Sequence, residues 1–150
     1  MDSSTAIAQN LEPECHTLTL KNRLDELETL SDWISRLSSR FQLSSRGAFR
    51  LEITLIEAVT NIINYAYEDV AEHEITIVLR YLGNTASIEM KDDGKPFNPL
   101  EYPAVVLPSS LEEAQEGGLG IHLIRSYVDE CSYQRDGNQN VFTVIIRDSD

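Results

Sequence analysis

Glu57 and Asn61 stand four residues apart in AFRLEITLIEAVTNIINYAYED (Ala48–Asp69), the longest stretch of the chain with helical periodicity. That spacing puts both side chains on one side of a helix, one turn apart. An asparagine carbonyl is a hard oxygen ligand suited to Mg²⁺, which is often held by one or two protein groups together with substrate phosphates and water. A carboxylate one turn away can accept a proton from an attacking hydroxyl or water. Arg50, Thr54, Asn64 and Glu68 continue the same ridge. The plain alternative is that this ridge is a solvated helix face.

Two further stretches could do chemistry. In MKDDGKPFNP (Met90–Pro99) a strand ends at Asp92 and a glycine, Gly94, follows two positions later. Asp-Asp-Gly can be a simple turn. A buried carboxylate at a strand end can also accept a hydrogen bond from a purine amino group, with Gly94 letting the base approach the backbone. In EGGLGIHLIRSYVDE (Glu116–Glu130), Gly117, Gly118 and Gly120 fall within four positions, and helical periodicity follows at once. Glycines before a helix leave its first amides bare, and those donors with the helix dipole form an anion site without any lysine. The alternative is a hinge or an ordinary loop-to-helix turn. The pattern is not a P-loop, because Ile121 stands where Lys-Ser/Thr is required. It is not a dinucleotide fingerprint either, because polar PSSLEEAQE precedes it where a strand is needed.

These residues must be positioned by one domain of 150 residues. With 25 acidic and 12 basic residues the formal charge is −13. That balance argues against binding nucleic acid or an anionic membrane. A phosphate-bearing ligand must therefore be held by something other than a lysine cluster. Residues 1–14 are expected to be a flexible N-terminal segment and do not read as a secretory signal. No stretch reaches the roughly 20 apolar residues of a membrane span. Cys15 and Cys131 form no CxxC and read as reduced thiols of a cytoplasmic protein. HEITI at His73 lacks the second histidine of a zinc helix.

The supporting elements follow from periodicity. CHTLTLK (Cys15–Lys21) alternates as a strand, and Leu24–Phe41 has apolar residues at helical spacing. LSSRG breaks that pattern and offers Ser44 or Ser45 as an N-cap to the long helix, whose expected apolar face is Phe49, Ile53, Ile56, Val59, Ile62, Ile63 and Ala66. Glu74–Gly83 and Thr85–Asp93 form a hairpin through Gly83-Asn84. CSYQRD and NVFTVIIR form another through Gly137-Asn138, after a helix at about 120–128. The intervening segment, 94–116, is long for a plain connection and is expected to be a mobile or functional loop. The order β, α, α, β, β, loop, α, β, β predicts an α/β (α+β) two-layer sandwich, a mixed, mostly antiparallel sheet with helices on one face.

An E-x-x-x-N helix, a D-x-G at a strand end, a long loop and a G-x-G opening a helix occur here in series. That series resembles the GHKL ATPases, which share the Bergerat ATP-binding fold. EAVTNIINYAY, DDGKPFNP and GGLGIHLIRSYVDE are similar to the bacterial anti-sigma factor serine kinases, a likeness running from about Ser44 to Arg147. The resemblance implies a cleft for ATP and Mg²⁺. Asn61 would ligate Mg²⁺ and Glu57 would be the catalytic base or position water. Asp92 would contact the adenine amino group, with Gly94 beside the base. Asn64 and Phe97 would join the nucleotide site, Gly117, Gly118, Leu119 and Gly120 would supply amides to the phosphates, and 96–116 would be the nucleotide lid. It further implies a STAS-domain anti-anti-sigma protein as substrate, a sequestered sigma factor and often a homodimer. Some of these kinases carry a basic residue just before the glycines, where this chain has Gln115 and Glu116. That difference keeps open a second reading, a nucleotide-dependent binding or switch module with little phosphoryl transfer.

Overall fold

The computed structural model describes residues 12–98 and 124–149. Its elements are β1 (Glu14–Lys21), a 3-10 turn (Leu24–Glu26), α1 (Leu27–Arg40), α2 (Ser45–Tyr65), β2 (Glu74–Leu82), β3 (Thr85–Asp92), β4 (Glu130–Asp136) and β5 (Gln139–Arg147). Residues 124–127 are also helical. The five strands form one sheet in the order β1-β2-β3-β5-β4, and each neighbouring pair is antiparallel. No helix among the described residues is long and apolar enough to cross a membrane.

Alternation along the strands decides which face is covered. Ile75, Ile77 and Leu79 of β2, Ala86, Ile88 and Met90 of β3, and Phe142, Val144 and Ile146 of β5 are buried, while the residues between them are partly exposed. They join Leu30, Trp33, Ile34 and Leu37 of α1 and Leu51, Leu55, Ala58, Val59 and Ile62 of α2 in one apolar cluster. Removing a side chain of this size from water is worth about 1.5–3 kcal/mol. The register then extends this inner face by a polar row. Met90 faces Phe142 and Phe142 faces Tyr133; one step further, Asp92 faces Asn140 and Asn140 faces Arg135.

The long helix differs from its sequence-based outline at both ends and in its buried face. It begins at Ser45, not Ala48, because Ser44 caps it: the Ser44 hydroxyl accepts from Gly47 N at 2.9 Å. Asp148 completes the cap, accepting from Ser44 N at 2.8 Å and from Ser44 Oγ at 2.6 Å. At the other end the helix stops at Tyr65 rather than Asp69. There the Ala66 carbonyl accepts from Lys95 N at 2.8 Å, so a tertiary contact takes over where the helix leaves off. The buried face is Leu51, Thr54, Leu55, Ala58, Val59, Asn61 and Ile62, whereas Phe49 is 52% exposed. The expected apolar face is thus rotated. The helix is covered on two sides, and its polar ridge supplies two of the buried residues.

Arg50, on that ridge, is a structural clamp. Its guanidinium donates to Tyr127 O, Arg147 O and Asp129 Oδ2, each at 2.9 Å, tying α2 to the approach to β4 and the end of β5.

Two glycines permit close contacts on α2. A Cβ at Gly94 would lie 2.5 Å from Ala66 O and 2.6 Å from Ala66 Cβ; one at Gly47 would lie 2.3 Å from Asp148 Oδ1. The first obstacle is backbone, and the second is a carboxylate that can swing away. Gly94→Ala is therefore expected to destabilise the protein by about 2 kcal/mol, within the range for forcing atoms into a packed site. Gly47→Ala should cost about 1 kcal/mol, the worth of a disturbed N-cap. Chemical denaturation of both variants checks the order, and a larger loss at Gly47 would contradict it.

Candidate functional site

Where α2 passes the ends of β3 and β5, the inner face opens into a small, mostly apolar pocket. Ala58, Asn61 and Ile62 line it from α2, Asp92 from β3, and Phe97 from the segment that follows. Ile124, Tyr133, Asn140 and Phe142 complete the wall. Most of this lining is apolar, which suits the faces of a flat ring, and the polar groups gather at Asp92 and Asn61.

Asn61 is 5% exposed, and its Nδ2 has no hydrogen-bond partner among the described residues. A buried amide left unpaired costs about 1–3 kcal/mol. Asn61 lines the pocket, with that nitrogen itself buried from solvent. Thr54, fully buried two turns earlier, also has an unpartnered hydroxyl. Glu57 is half-buried one turn before Asn61, and Asn64 is exposed one turn after it. Neither belongs to the pocket wall. The helix therefore turns Asn61 inward and leaves Glu57 and Asn64 on its flank.

Asp92 is 3% exposed. Its Oδ1 accepts from Gly94 N and from Asn140 Nδ2, both at 2.9 Å. Burial pushes its carboxyl above the usual carboxylate range; the Asn140 amide and Gly94 N–H oppose that shift, and the Asp93 charge adds to it. Gly94 N donates to Asp92, and the missing Cβ of Gly94 makes room for Ala66. Phe97 stands in the pocket wall, near-parallel to Tyr65 with ring centroids 6.4 Å apart. Gly117, Gly118, Leu119 and Gly120 lie outside the described residues, as do 99–116 of the expected lid and 1–11 of the N-terminal segment.

His73 pairs with carboxylates: Nε2 lies 2.8 Å from Asp69 Oδ1 and Nδ1 lies 3.4 Å from Asp93 Oδ1, with Tyr67 stacked at 4.2 Å. The hydrogen bond to Asp69 raises its pKa.

The sequence-based reading missed Asn140, Tyr133 and Arg135. Asn140 is 3% exposed and joins Asp92 to the segment after it. A signal for it exists in NVFTVIIR: strand alternation puts Asn140 on the same face as Phe142, Val144 and Ile146. A polar residue in an apolar column needs a partner, and Asp92 is that partner.

Residues 20–146 match the histidine kinase-like ATPase domain model. The chain is 30% identical over 112 residues to the serine/threonine-protein kinase BtrW of Bordetella bronchiseptica, covering 75% of this chain and 79% of that one. It is 34% identical over 96 residues to the serine-protein kinase RsbW of Bacillus mycoides, covering 61% of this chain and 59% of that one. In fold it resembles the RsbU and RsbW domains of Rv1364c from Mycobacterium tuberculosis, with a TM-score of 0.65 at 13% identity over 89% of this chain and 32% of that one. The catalytic domain of the histidine kinase ThkA gives a TM-score of 0.51 at 15% identity, covering 92% and 97%. A helix-and-sheet pocket with a buried asparagine and a strand-end aspartate, on a chain whose residues 20–146 match one domain family, leads to one conclusion: the protein belongs to the histidine kinase-like ATPase domain family and groups within it with the serine/threonine-protein kinase BtrW and the serine-protein kinase RsbW.

Proposed function

We propose that the protein is an ATP-dependent serine/threonine kinase acting as an anti-sigma regulatory factor. Its substrate is a serine on a STAS-domain anti-anti-sigma protein, and in its other partnership, as a homodimer, it sequesters a sigma factor. The observation that carries the nucleotide part is the pairing of two unmet polar groups in one apolar pocket, the Asn61 amide and the second oxygen of Asp92. The kinase part is supported by the relatives named serine-protein kinases.

The residues present fit ATP and Mg²⁺. Apolar walls suit the base, and Asp92 offers an acceptor to its amino group, beside Gly94 and Phe97. Asn61 offers an oxygen to Mg²⁺, with Asn64 at the flank of the same helix. Bound there, Mg²⁺ supplies the positive charge that a chain of formal charge −13 lacks. The backbone amides of Gly117, Gly118, Leu119 and Gly120 are assigned to the phosphates on the strength of their sequence pattern. Glu57, outside the pocket wall, is assigned to accept the proton of an incoming serine hydroxyl. The serine oxygen–phosphorus bond forms as the bond to the ADP oxygen breaks, and positioning with charge neutralisation does most of the work. The segment 96–116 is assigned as the lid over the nucleotide.

Three outcomes are expected. Asn61→Ala should abolish Mg²⁺-dependent ATP binding in calorimetry without lowering the melting temperature, because the amide it deletes is already unpaired. Retained binding would remove Asn61 from the site. Glu57→Gln should leave ATP affinity within about twofold and slow transfer of label from ATP to a STAS partner by about 10²-fold or more, as for loss of a general base. Unchanged transfer would remove Glu57 from the role of base, and no transfer by the wild-type protein would favour the switch-module reading.

The third concerns pH. Asp92 titrates above the usual carboxylate range in the folded protein, so ATP affinity should fall with acidification, starting at a higher pH than an ordinary aspartate would give. Only the ionised form offers two acceptor oxygens. Asp92→Asn should remove that pH dependence, and a wild-type affinity that is flat down to the ordinary aspartate range would refute the assignment.

A further inference from the structure

Asn140 makes five hydrogen bonds, and their directions leave only one way for its amide to lie. Three donors converge on Oδ1: Tyr133 OH, Phe97 N at 3.2 Å and Arg135 Nη1 at 3.2 Å. Two acceptors face Nδ2: Asp92 Oδ1 at 2.9 Å and Lys95 O at 2.8 Å. The flipped amide would set its NH₂ against three donors and its oxygen against a carboxylate and a carbonyl. The orientation thus follows from chemistry rather than from assignment.

That orientation constrains Asp92. Oδ1 is taken by Asn140 Nδ2 and Gly94 N, while Oδ2 accepts nothing among the described residues and Asp92 lines the pocket. With Oδ1 held by two donors, Oδ2 is the oxygen offered to the pocket, and the Asn140 N–H favours the ionised carboxylate, in which that oxygen is an acceptor. Asn140 and Arg135 also grip the segment after Asp92. Asn140 holds Lys95 O and Phe97 N, and Arg135 Nη1 donates to Gly94 O at 2.8 Å. The acceptor at Asp92 and the Phe97 wall are therefore set by one side chain.

We infer that Asn140 is the positioning residue that makes this pocket select a purine bearing an exocyclic amino group over one bearing an exocyclic oxygen. The inference rests on the nucleotide reading given above and adds a determinant of its specificity. An amino group donates to the free oxygen of Asp92. A carbonyl oxygen at the same place meets a second acceptor, and a site whose polar group is left facing the wrong partner discriminates strongly. If the Asn140 donor is removed, Asp92 can rotate or become protonated and then donate to the oxygen of the wrong base.

The test compares ADP with inosine diphosphate, which carries an oxygen where ADP carries the amino group, both with Mg²⁺ and the full chain, by calorimetry. Asn140→Ala deletes the donor. Asn140→Asp keeps the oxygen that Tyr133, Arg135 and Phe97 approach but sets a second carboxylate against Asp92, so that the pair shares a proton. Both variants should lower the ratio of ADP to inosine diphosphate affinity by about tenfold or more, the worth of one hydrogen bond to a charged group. Partial unfolding weakens both ligands equally and leaves the ratio alone, so an unchanged ratio overturns the inference.

A second arm needs no nucleotide. The Asp92 carboxyl carbon is followed by NMR as pH is varied, with Asp93, Tyr67, Tyr133, Arg135 and Lys95 being the charged or titratable groups around it. Its midpoint should rise in Asn140→Ala, and an unmoved midpoint overturns the role given to Asn140. Wild-type protein that binds no ADP, with the midpoint rising as expected, would reject the nucleotide reading and the base selection built on it, while the hold of Asn140 on Asp92 would stand.

Discussion

A carboxylate buried in an apolar layer must have hydrogen-bond donors, and the arrangement around Asp92 follows from that need. The inner face of the sheet runs in cross-strand rows of Ile, Leu, Met, Phe and Val until the last row, where Asp92, Asn140 and Arg135 stand side by side on β3, β5 and β4. Asn140 and the Gly94 amide supply the donors, and Arg135 and Tyr133 satisfy Asn140 in turn. One row of antiparallel register converts the edge of a hydrophobic core into a polar site. A shift of register by one residue would send all three side chains to the other face.

The same constraint accounts for the seam between helix and sheet. Gly94 must bring its amide back to Asp92, which carries the chain against the end of α2. There Lys95 N takes the Ala66 carbonyl, and no side chain fits on residue 94. At its other end α2 is held by the Ser44 cap, by Asp148 and by the Arg50 clamp. A helix fixed at both ends holds Asn61 steady over the pocket with its amide unmet. Such a group is a cost to stability that a ligand can offset, which is how binding sites differ from cores.

Acidic composition is compatible with a nucleotide site once the charges are located. Of the carboxylates on α2 and the strand ends, Asp92 is the buried one, and it faces the pocket as an acceptor, not as a ligand for phosphate. The basic side chains that follow or face Asp92 are committed: Lys95 to Glu68, and Arg135 to Gly94 and Asn140. In the function proposed above, a phosphate group would depend chiefly on backbone amides and a divalent cation.

By itself the amino-acid sequence determined the element order, both hairpins and a serine cap at Ser44 or Ser45, because alternation, helical spacing and turn residues are local signals. It also picked out Asn61, Asp92, Gly94 and Phe97, because their motifs lie within short stretches. Only the tertiary structure decided that α2 stops at Tyr65, that its buried face includes Thr54 and Asn61, and that Arg50 is a clamp. Each of these depends on what packs against the helix from far along the chain. Asn140 was hidden for the same reason. It is 48 residues from Asp92, and what it does there exists only once β3 and β5 pair in register.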